Sequence, residues 1–452
     1  MEAFSFDQLF ELLENNSFKE LREHLVQMNS ADVAEFMTQL DEDKLILIFR
    51  ILPKDLAADV FAYLETETQT SIVSSINDVE LGLLVEELYV DDAVDFLEEV
   101  PASVVKRVLK NTSSETRSII NRFLKYPENS AGSVMTIEMV EFHSRITAAE
   151  AIKIIRETGL DKETIYTCYV IDDFRHLVGV LPLRRLLLAD EDARIIDITT
   201  ETEHIVSVGT LDDQEHVAEI ARKYDLLSVP VVDNEGRLVG IVTIDDIVDI
   251  IEDEATEDFE KMALLTPSDD EYLKTGVFKL AKSRILWLMI LMISATFTGG
   301  IIESFEGMLA SFAGLTACIP MLMDTGGNAG NQTSTLIIRG LALGEINIKD
   351  YFKVLLKELR VALICGFLLA AANFARMSIL GGSAGFNPKM YLVVCASMLC
   401  SIVVSKCIGC TLPILAKAIK LDPALMAGPM ITTIVDAITL LIYFSLAKAF
   451  LI

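Results

Sequence analysis

The chain has 452 residues and a net charge of −29, yet its mean hydropathy is +0.42. Charge and apolar surface must therefore be segregated: from residue 284 onward eight acids face twelve bases, a balance of +4, so the residues before it carry −33. An acidic body of that strength excludes nucleic acid and anionic lipid as partners and favours cations. Solvated acidic faces that aid solubility account for most of these acids, though not for their clusters.

The opening MEAFSFDQLFELLENNSFKE has neither a basic stretch nor a continuous apolar core, so no signal peptide is expected in it. Of seven cysteines only Cys168 precedes the apolar C-terminal block. No disulfide framework is expected there, and a reducing compartment is. Cys407 and Cys410 form a CxxC inside an apolar run, where buried small hydrophobes are expected rather than a metal or redox pair.

Residues 1–130 read as short helices without a strand pattern. Leu40, Leu64 and Leu88 close amphipathic segments (ADVAEFMTQL, LAADVFAYL, ELGLLVEEL) at a spacing of 24, which predicts stacked helical hairpins in a solenoid-like N-domain. YPENSAGSVMT then marks a boundary. Across 131–255 strands and helices alternate and repeat. CYVIDDFRHLVGVLPLRRLL aligns with VPVVDNEGRLVGIVTIDDIV, placing Asp172 over Asp233 and Gly179 over Gly240 at a constant offset of 61. Each copy gives a strand, an Asp/Asn/Gly-rich turn, a second strand and a helix. The pair resembles tandem CBS domains, about 133–195 and 196–255, a regulatory fold that does not itself name a ligand. In the second copy Thr243 and Asp246 fit the pattern by which such domains hold the phosphate and ribose of a nucleotide, ATP for instance. The first copy has Pro182 and Arg185 at those places, and an ordinary strand-to-helix cap explains Thr243 equally well.

Between 245 and 271 twelve acids accompany one base, Lys261. On a helix Asp246, Asp249, Asp253 and Glu257 recur at steps of three and four along one face, where they repel unless cations lie between them. Oxygen ligands without His or Cys suit Mg2+ or Ca2+. This acidic connecting segment, 256–284, ends in a basic amphipathic stretch over 274–284 that leads into the apolar block.

The block 285–452 holds five apolar runs (285–302, 309–343, 354–380, 390–419 and 423–450), each near or above the ~20 residues that a bilayer requires. Lys and Arg gather before the first run, between the second and third, and between the fourth and fifth. That bias puts the N-terminal body in the cytoplasm and the C-terminus outside. Two runs are polar at depth. PMLMDTGGNAGNQTSTLIIRG carries Asp324, Asn328, Asn331 and Gln332, and DPALMAGPMITTIVDAI carries Thr432 and Asp436. Glycines are explained by close helix packing; amides, hydroxyls and carboxylates on the same runs suit a wet cation pathway. One carboxylate per chain is thin compensation for a divalent ion, so a homodimer with Asp436 doubled across a twofold axis is expected. Lys406, about 16 Å from the inner end of the fourth run at 1.5 Å per residue, has no role legible in the sequence.

YPENSAGSVMT, GGNAGNQ and DPALMAGPMITTIVD, in this order of domains, resemble the MgtE magnesium channel/transporter family over the full length. The resemblance implies a multidomain membrane protein: an α-helical solenoid-like N-domain, α/β tandem CBS domains and an all-α transmembrane domain of five helices. It implies a homodimeric Mg2+ channel in the plasma membrane that imports Mg2+ and is gated by cytosolic Mg2+. Asp436 would be the pore carboxylate, with Thr432 nearby, and Asn328, Asn331 and Gln332, with Asp324, would line the pathway. Regulatory Mg2+ would be held by Asp91, Asp92 and Asp95 of the N-domain together with Asp213, Glu215, Asp225, Asp246, Asp249, Glu254, Glu257 and Asp258. The alternative is a divalent-cation exporter or proton-coupled carrier regulated by a CBS-bound nucleotide. An enzyme is not expected, because the apolar runs hold no nucleophile–base pair and no histidine follows His216.

Overall fold

A computed structural model describes residues 6–200, 205–268, 272–273, 275–380 and 388–451. Three acids of the connecting segment (Asp269, Asp270, Glu271), and Lys274 of its basic stretch, lie outside these residues. The chain forms two compact units, Met1–Glu252 and Asp253–Ile452.

The first unit opens with ten helices among the described residues: Phe6–Glu14, Phe18–Leu25, Ser30–Thr38, Glu42–Ile51, Lys54–Ala62, Thr66–Ser75, Asp78–Glu87, Val90–Glu99, Ala102–Asn111 and Ser114–Phe123 (α1–α10). Each starts 12 residues after the one before, so the spacing of 24 seen in the sequence is two helices long. Helices two apart pack together, α3 on α5 on α7 on α9 and α4 on α6 on α8 on α10, in two stacked layers. The starts are fixed locally. Asn77 accepts from the Val79 and Glu80 amides while Glu80 reaches back to the Asn77 amide at 3.0 Å, closing a capping box.

The CBS pair follows as β1 (Met139–His143), α11 (Ala148–Thr158), β2 (Thr164–Ile171), β3 (Leu177–Pro182), α12 (Leu183–Leu187) and α13 (Ile195–Ile198). The second copy is β4 (Val208–Gly209), α14 (Gln214–Tyr224), β5 (Ser228–Val232), β6 (Leu238–Thr243) and α15 (Ile244–Met262). Both sheets have three strands, with a parallel pair first and an antiparallel hairpin second. The sequence offset of 61 recurs in the hydrogen bonds. Asp172 Oδ1 accepts from Phe174 and His176 amides at 2.8 and 2.9 Å, and Asp233 Oδ1 accepts from Glu235 and Arg237 amides at 2.9 Å each. The two turns also clasp each other: Leu177 N–H donates to Gly236 O at 3.2 Å and Leu238 N–H to Arg175 O at 2.9 Å.

YPENSAGSVMT is built into the second CBS copy instead of serving as a free linker. Ala131 and Gly132 amides donate to Asp212 O and Thr210 O, and Thr136 exchanges two hydrogen bonds with Ile241 at 2.8 and 2.9 Å. A Cβ at Gly132 would lie 2.6 Å from the Tyr126 ring, and one at Gly240 would lie 2.7 Å from Thr136 O. Only glycine lets those segments approach.

The second unit comprises α16 (Val277–Ser304), short α17 (Glu306–Ser311) and α18 (Ala313–Thr316), then α19 (Ile319–Ala342), α20 (Tyr351–Leu380), α21 (Pro388–Ala418) and α22 (Gly428–Leu451). By length and composition, three segments among the described residues can cross a membrane: Val277–Ser304, Pro388–Ala418 and Pro423–Leu451. The other two long helices, α19 and α20, have 24 and 30 residues and a higher polar content.

Three expected extents change. The segment 256–284 is not one helix: its beginning completes α15 and its end opens α16. The run 309–343 breaks at Phe312, where φ −133° and ψ 70° leave the helical region, and the long helix starts only at Ile319. The last run divides into a 3-10 turn, Pro423–Met426, and α22, so Pro429 stands in a first turn, where a missing N–H costs nothing. Helices α19, α21 and α22 meet almost backbone to backbone. A Cβ on Gly409 would sit 2.3 Å from Gly330 O, and one on Gly326 would sit 2.7 Å from Thr439 Oγ1.

Candidate functional site

Two groups of residues carry charge where burial makes charge costly. The first lies in the Met1–Glu252 unit. Asp91 and Asp92 open α8, Glu163 precedes β2, and Asp245 and Asp246 open α15. Burial, with Asp92, Asp246 and Glu163 facing it, pushes Asp91 well above the ordinary carboxylate range. Burial and Asp246, Asp95, Asp59 and Asp245 raise Asp92 to about 7. Burial and Asp245, Asp246, Asp92 and Glu138 raise Glu163 to about 8. Asp246 reaches about 6, its burial partly offset by the Thr243 hydroxyl. Raised values of this kind mark carboxylates without counter-charge. Glu163 Oε2 is buried with no hydrogen-bond partner among the described residues.

That donor set is all oxygen, and a buried unpartnered oxygen amid like charges fits a hard cation. Among the described residues no three His, Cys, Asp or Glu side chains are gathered closely enough to ligate a metal directly. Mg2+ usually keeps several of its waters, so carboxylates spaced around a hydrated ion suit it better than a tight protein cage.

The expected regulatory residues divide. Asp91, Asp92, Asp246 and Asp249 belong to this cluster, with Asp95 at its exposed edge. Asp213 and Glu215 stand at the start of α14, where Asp213 caps the helix by accepting from the Glu215 amide at 2.9 Å. Asp225 ends the same helix in the left-handed region at φ 52°. An 11-residue helix is about 16 Å long, so the two ends of α14 cannot share one ion. Glu254, Glu257 and Asp258 belong to the second unit. There Lys261 Nζ lies 2.7 Å from Glu257 Oε1 and 2.8 Å from Asp422 Oδ2, so Glu257 already has a cation. Burial and Asp422 raise Asp258. The nucleotide candidates are joined to each other, Thr243 Oγ1 donating to Asp246 Oδ2 at 2.6 Å. Glu163, Glu138, Asp59 and Lys261's contact with Asp422 were not legible beforehand. The acids stand singly in sequence, and the lone base of an acidic run was the one available signal.

The second group lines the contact of α19 with α22. Asp436 is half-buried and has no hydrogen-bond partner among the described residues. Gly327 faces it: a Cβ there would lie 3.7 Å from Asp436 Oδ1 and 3.1 Å from Thr432 Cγ2. Asp324 is within electrostatic reach of Asp436 and accepts from Asn328 Nδ2 at 3.1 Å. Asn331 Oδ1 accepts from the Gly428 amide at 2.9 Å, and Gln332 is exposed. The Thr432 hydroxyl donates back to Pro429 O of its own helix at 2.9 Å. A free carboxylate facing glycines, amides and a second carboxylate can hold a cation through its water shell.

An acidic helical and CBS body followed by apolar helices with a carboxylate at their polar contact defines a multi-pass cation transporter with a regulatory soluble part. Residues 319–446 match the family model described as a divalent cation transporter, residues 28–129 the MgtE intracellular N domain, and residues 131–192 and 195–253 the CBS domain. The chain is 35% identical to the magnesium transporter MgtE of Thermus thermophilus over 98% of each chain. It is 34% identical to that of Enterococcus faecalis over 99% of this chain and 97% of that one. A crystal structure of the cytosolic domain of the Mg2+ channel MgtE in complex with ATP matches 54% of this chain and 100% of that one, at 35% identity and a TM-score of 0.52. The chain belongs to the MgtE family.

Proposed function

We propose that this protein is an Mg2+ channel that admits Mg2+ down its electrochemical gradient and closes when cytosolic Mg2+ occupies the acidic cluster of its soluble unit. The half-buried carboxylate of Asp436, without a hydrogen-bond partner among the described residues and beside the glycine and amide face of α19, is the observation that carries the reading. Relatives over the whole length that are named magnesium transporters support the substrate. The conducting assembly is a homodimer, which doubles Asp436 across a twofold axis, with the N-terminal unit cytoplasmic and the C-terminus outside. Regulatory Mg2+ would be held by Asp91, Asp92, Glu163 and Asp246, with Asp249 and Asp95 beside them. Protein oxygens would replace or bind its waters, and the ion's charge would neutralise their mutual repulsion. Asp213, Glu215 and Asp225 would serve separate, weaker surface sites, and Glu254 and Asp258 would act near Lys261. An adenine nucleotide at the CBS pair would take Thr243 and Asp246 from each other, which couples its binding to the same acids.

Full-length protein in liposomes, with Mg2+ varied on each face separately and no pH or sodium gradient, tests the reading. Sustained Mg2+ flux that falls as Mg2+ rises on the face bearing the soluble unit is the expected result. Flux that requires a proton gradient would return the carrier alternative.

Lys261 gives a smaller prediction. Its two carboxylate partners hold the end of α15 to the turn before α22, where Asp422 caps the Pro423–Met426 turn by accepting from the Ala424 amide. Lys261→Met is expected to shift the cytosolic Mg2+ that halves the flux by about two- to fivefold, the scale of a partly exposed ion pair. Lys261→Arg should leave that midpoint in place. An unchanged midpoint in Lys261→Met, read from flux against cytosolic Mg2+, would deny the contact a part in gating.

A further inference from the structure

Lys406 is 7% exposed in the middle of α21. Its Nζ lies 3.0 Å from Thr333 Oγ1 of α19 and 3.4 Å from Glu358 Oε2 of α20, and Thr333 Oγ1 lies 3.0 Å from the same Glu358 oxygen. The triangle joins three helices through their side chains at one point. An ion pair in a dry interior gains little net stability, because desolvating each charge costs several kcal/mol. Charged groups inside a membrane are therefore rare, and usually functional.

The position of Thr333 says what the triangle does. One residue on, Ser334 Oγ donates to Met426 O at 2.7 Å; two residues back, Asn331 accepts from the Gly428 amide. One turn back is the backbone contact of Gly330 with Gly409. Within five residues α19 is thus tied to α20, α21 and the start of α22, and the same stretch carries Asn331 and Gln332. The glycine contact with α21 supplies no side chain of its own to fix α19 against that helix. The hydrogen-bonded charge pair supplies that fixing point.

We propose that Lys406 and Glu358 are positioning residues that lock α19 through Thr333 and so set where its amides face the ion path. The proposal rests on the reading of α19 as the lining of that path. Neither charge touches the ion; both act through the threonine hydroxyl. Misplacement of α19 changes the fit to the hydrated ion, so it alters the discrimination between Mg2+ and the larger Ca2+ as well as the rate.

Three full-length variants in liposomes test this, each read as Mg2+ flux, the Mg2+ to Ca2+ flux ratio, and the thermal midpoint of the purified protein. Thr333→Val keeps the ion pair and the side-chain shape; it is expected to lower the flux ratio by about tenfold, the equivalent of ~1.4 kcal/mol, with a small fall in the midpoint from the lost hydroxyl. The paired Lys406→Gln and Glu358→Gln variant leaves no buried charge, so it is expected to fold yet share the loss of selectivity. If both variants conduct and discriminate like the parent, the pair is packing alone and the proposal is overturned. Asn331→Ala separates the two levels. Should it leave flux and ratio intact, the reading of α19 as the ion path fails; should it impair them while Thr333→Val does not, only the positioning role fails.

Discussion

Replacing Asp436 with alanine is expected to abolish Mg2+ flux while the protein still folds and assembles. A cation 4 Å from a carboxylate gains about 4 kcal/mol per unit charge at an effective dielectric constant of 20, close to a thousandfold in occupancy. Asp436 has no hydrogen-bond partner among the described residues, so removing it leaves no buried donor orphaned and no structural bond broken. A structural aspartate in the same helix contact would behave otherwise, because its partners would be exposed by the substitution. Asp436→Asn is the sharper variant, since it preserves shape and one oxygen and removes only the charge. Flux measured in liposomes at low cytosolic Mg2+ should fall by at least about a hundredfold for both variants, with an unchanged elution volume. An Asn variant that conducts like the parent would show that the charge is not what holds the ion.

The parts of the architecture readable from sequence are those set by local chemistry. The Asx turns at Asp172 and Asp233 bond to amides two and four residues on, so the repeat in sequence became a repeat in structure. The N-domain period was visible at 24 because alternate helices share their packing role. The underlying step of 12 went unread, although adjacent helices bury nearly the same offsets and Leu52, Ile76 and Val100 are buried at the intermediate steps. Long-range pairings left no such trace. Glu358 is the partner of Lys406 across 48 residues, yet it stands between Lys357 and Arg360 and reads as part of a charged loop margin. Asp213, Glu215 and Asp225 came from the family resemblance and not from their own spacing; the helix between them keeps its two ends apart. Glu163, the most strongly stranded oxygen of the cluster, is a single acid before a strand. A carboxylate acquires its meaning there from Asp245, Asp246 and Asp92, which only the folded chain brings to face it.

In the proposed function the cluster sets protons against divalent ions, and the sign of the pH effect follows from its raised carboxylates. Asp92, Glu163 and Asp246 sit at about 7, 8 and 6 when folded, against about 4 for such groups in an open chain. The folded unit therefore binds protons more tightly than the unfolded one, and the stability this gives is fully present in acid. It is lost as pH rises through the interval from about 4 to 8. Without divalent ions, full-length protein in detergent should show a thermal midpoint that falls from pH 5.5 to pH 8. Mg2+ at a hundred times its dissociation constant adds about 2.7 kcal/mol, about 5–10 °C for a unit of this size. That gain should be large at pH 8 and small at pH 5.5, where protons already neutralise the acids. The triple variant Asp92→Asn, Glu163→Gln, Asp246→Asn removes three of the facing charges and with them most of the repulsion. It is expected to reach the Mg2+-bound midpoint of the parent without Mg2+, to lose most of the pH slope, and to conduct at a rate that cytosolic Mg2+ no longer controls. A parent midpoint that climbs with pH in the absence of Mg2+ would mean that these carboxylates are satisfied in the folded chain. They would then have no force with which to open a gate.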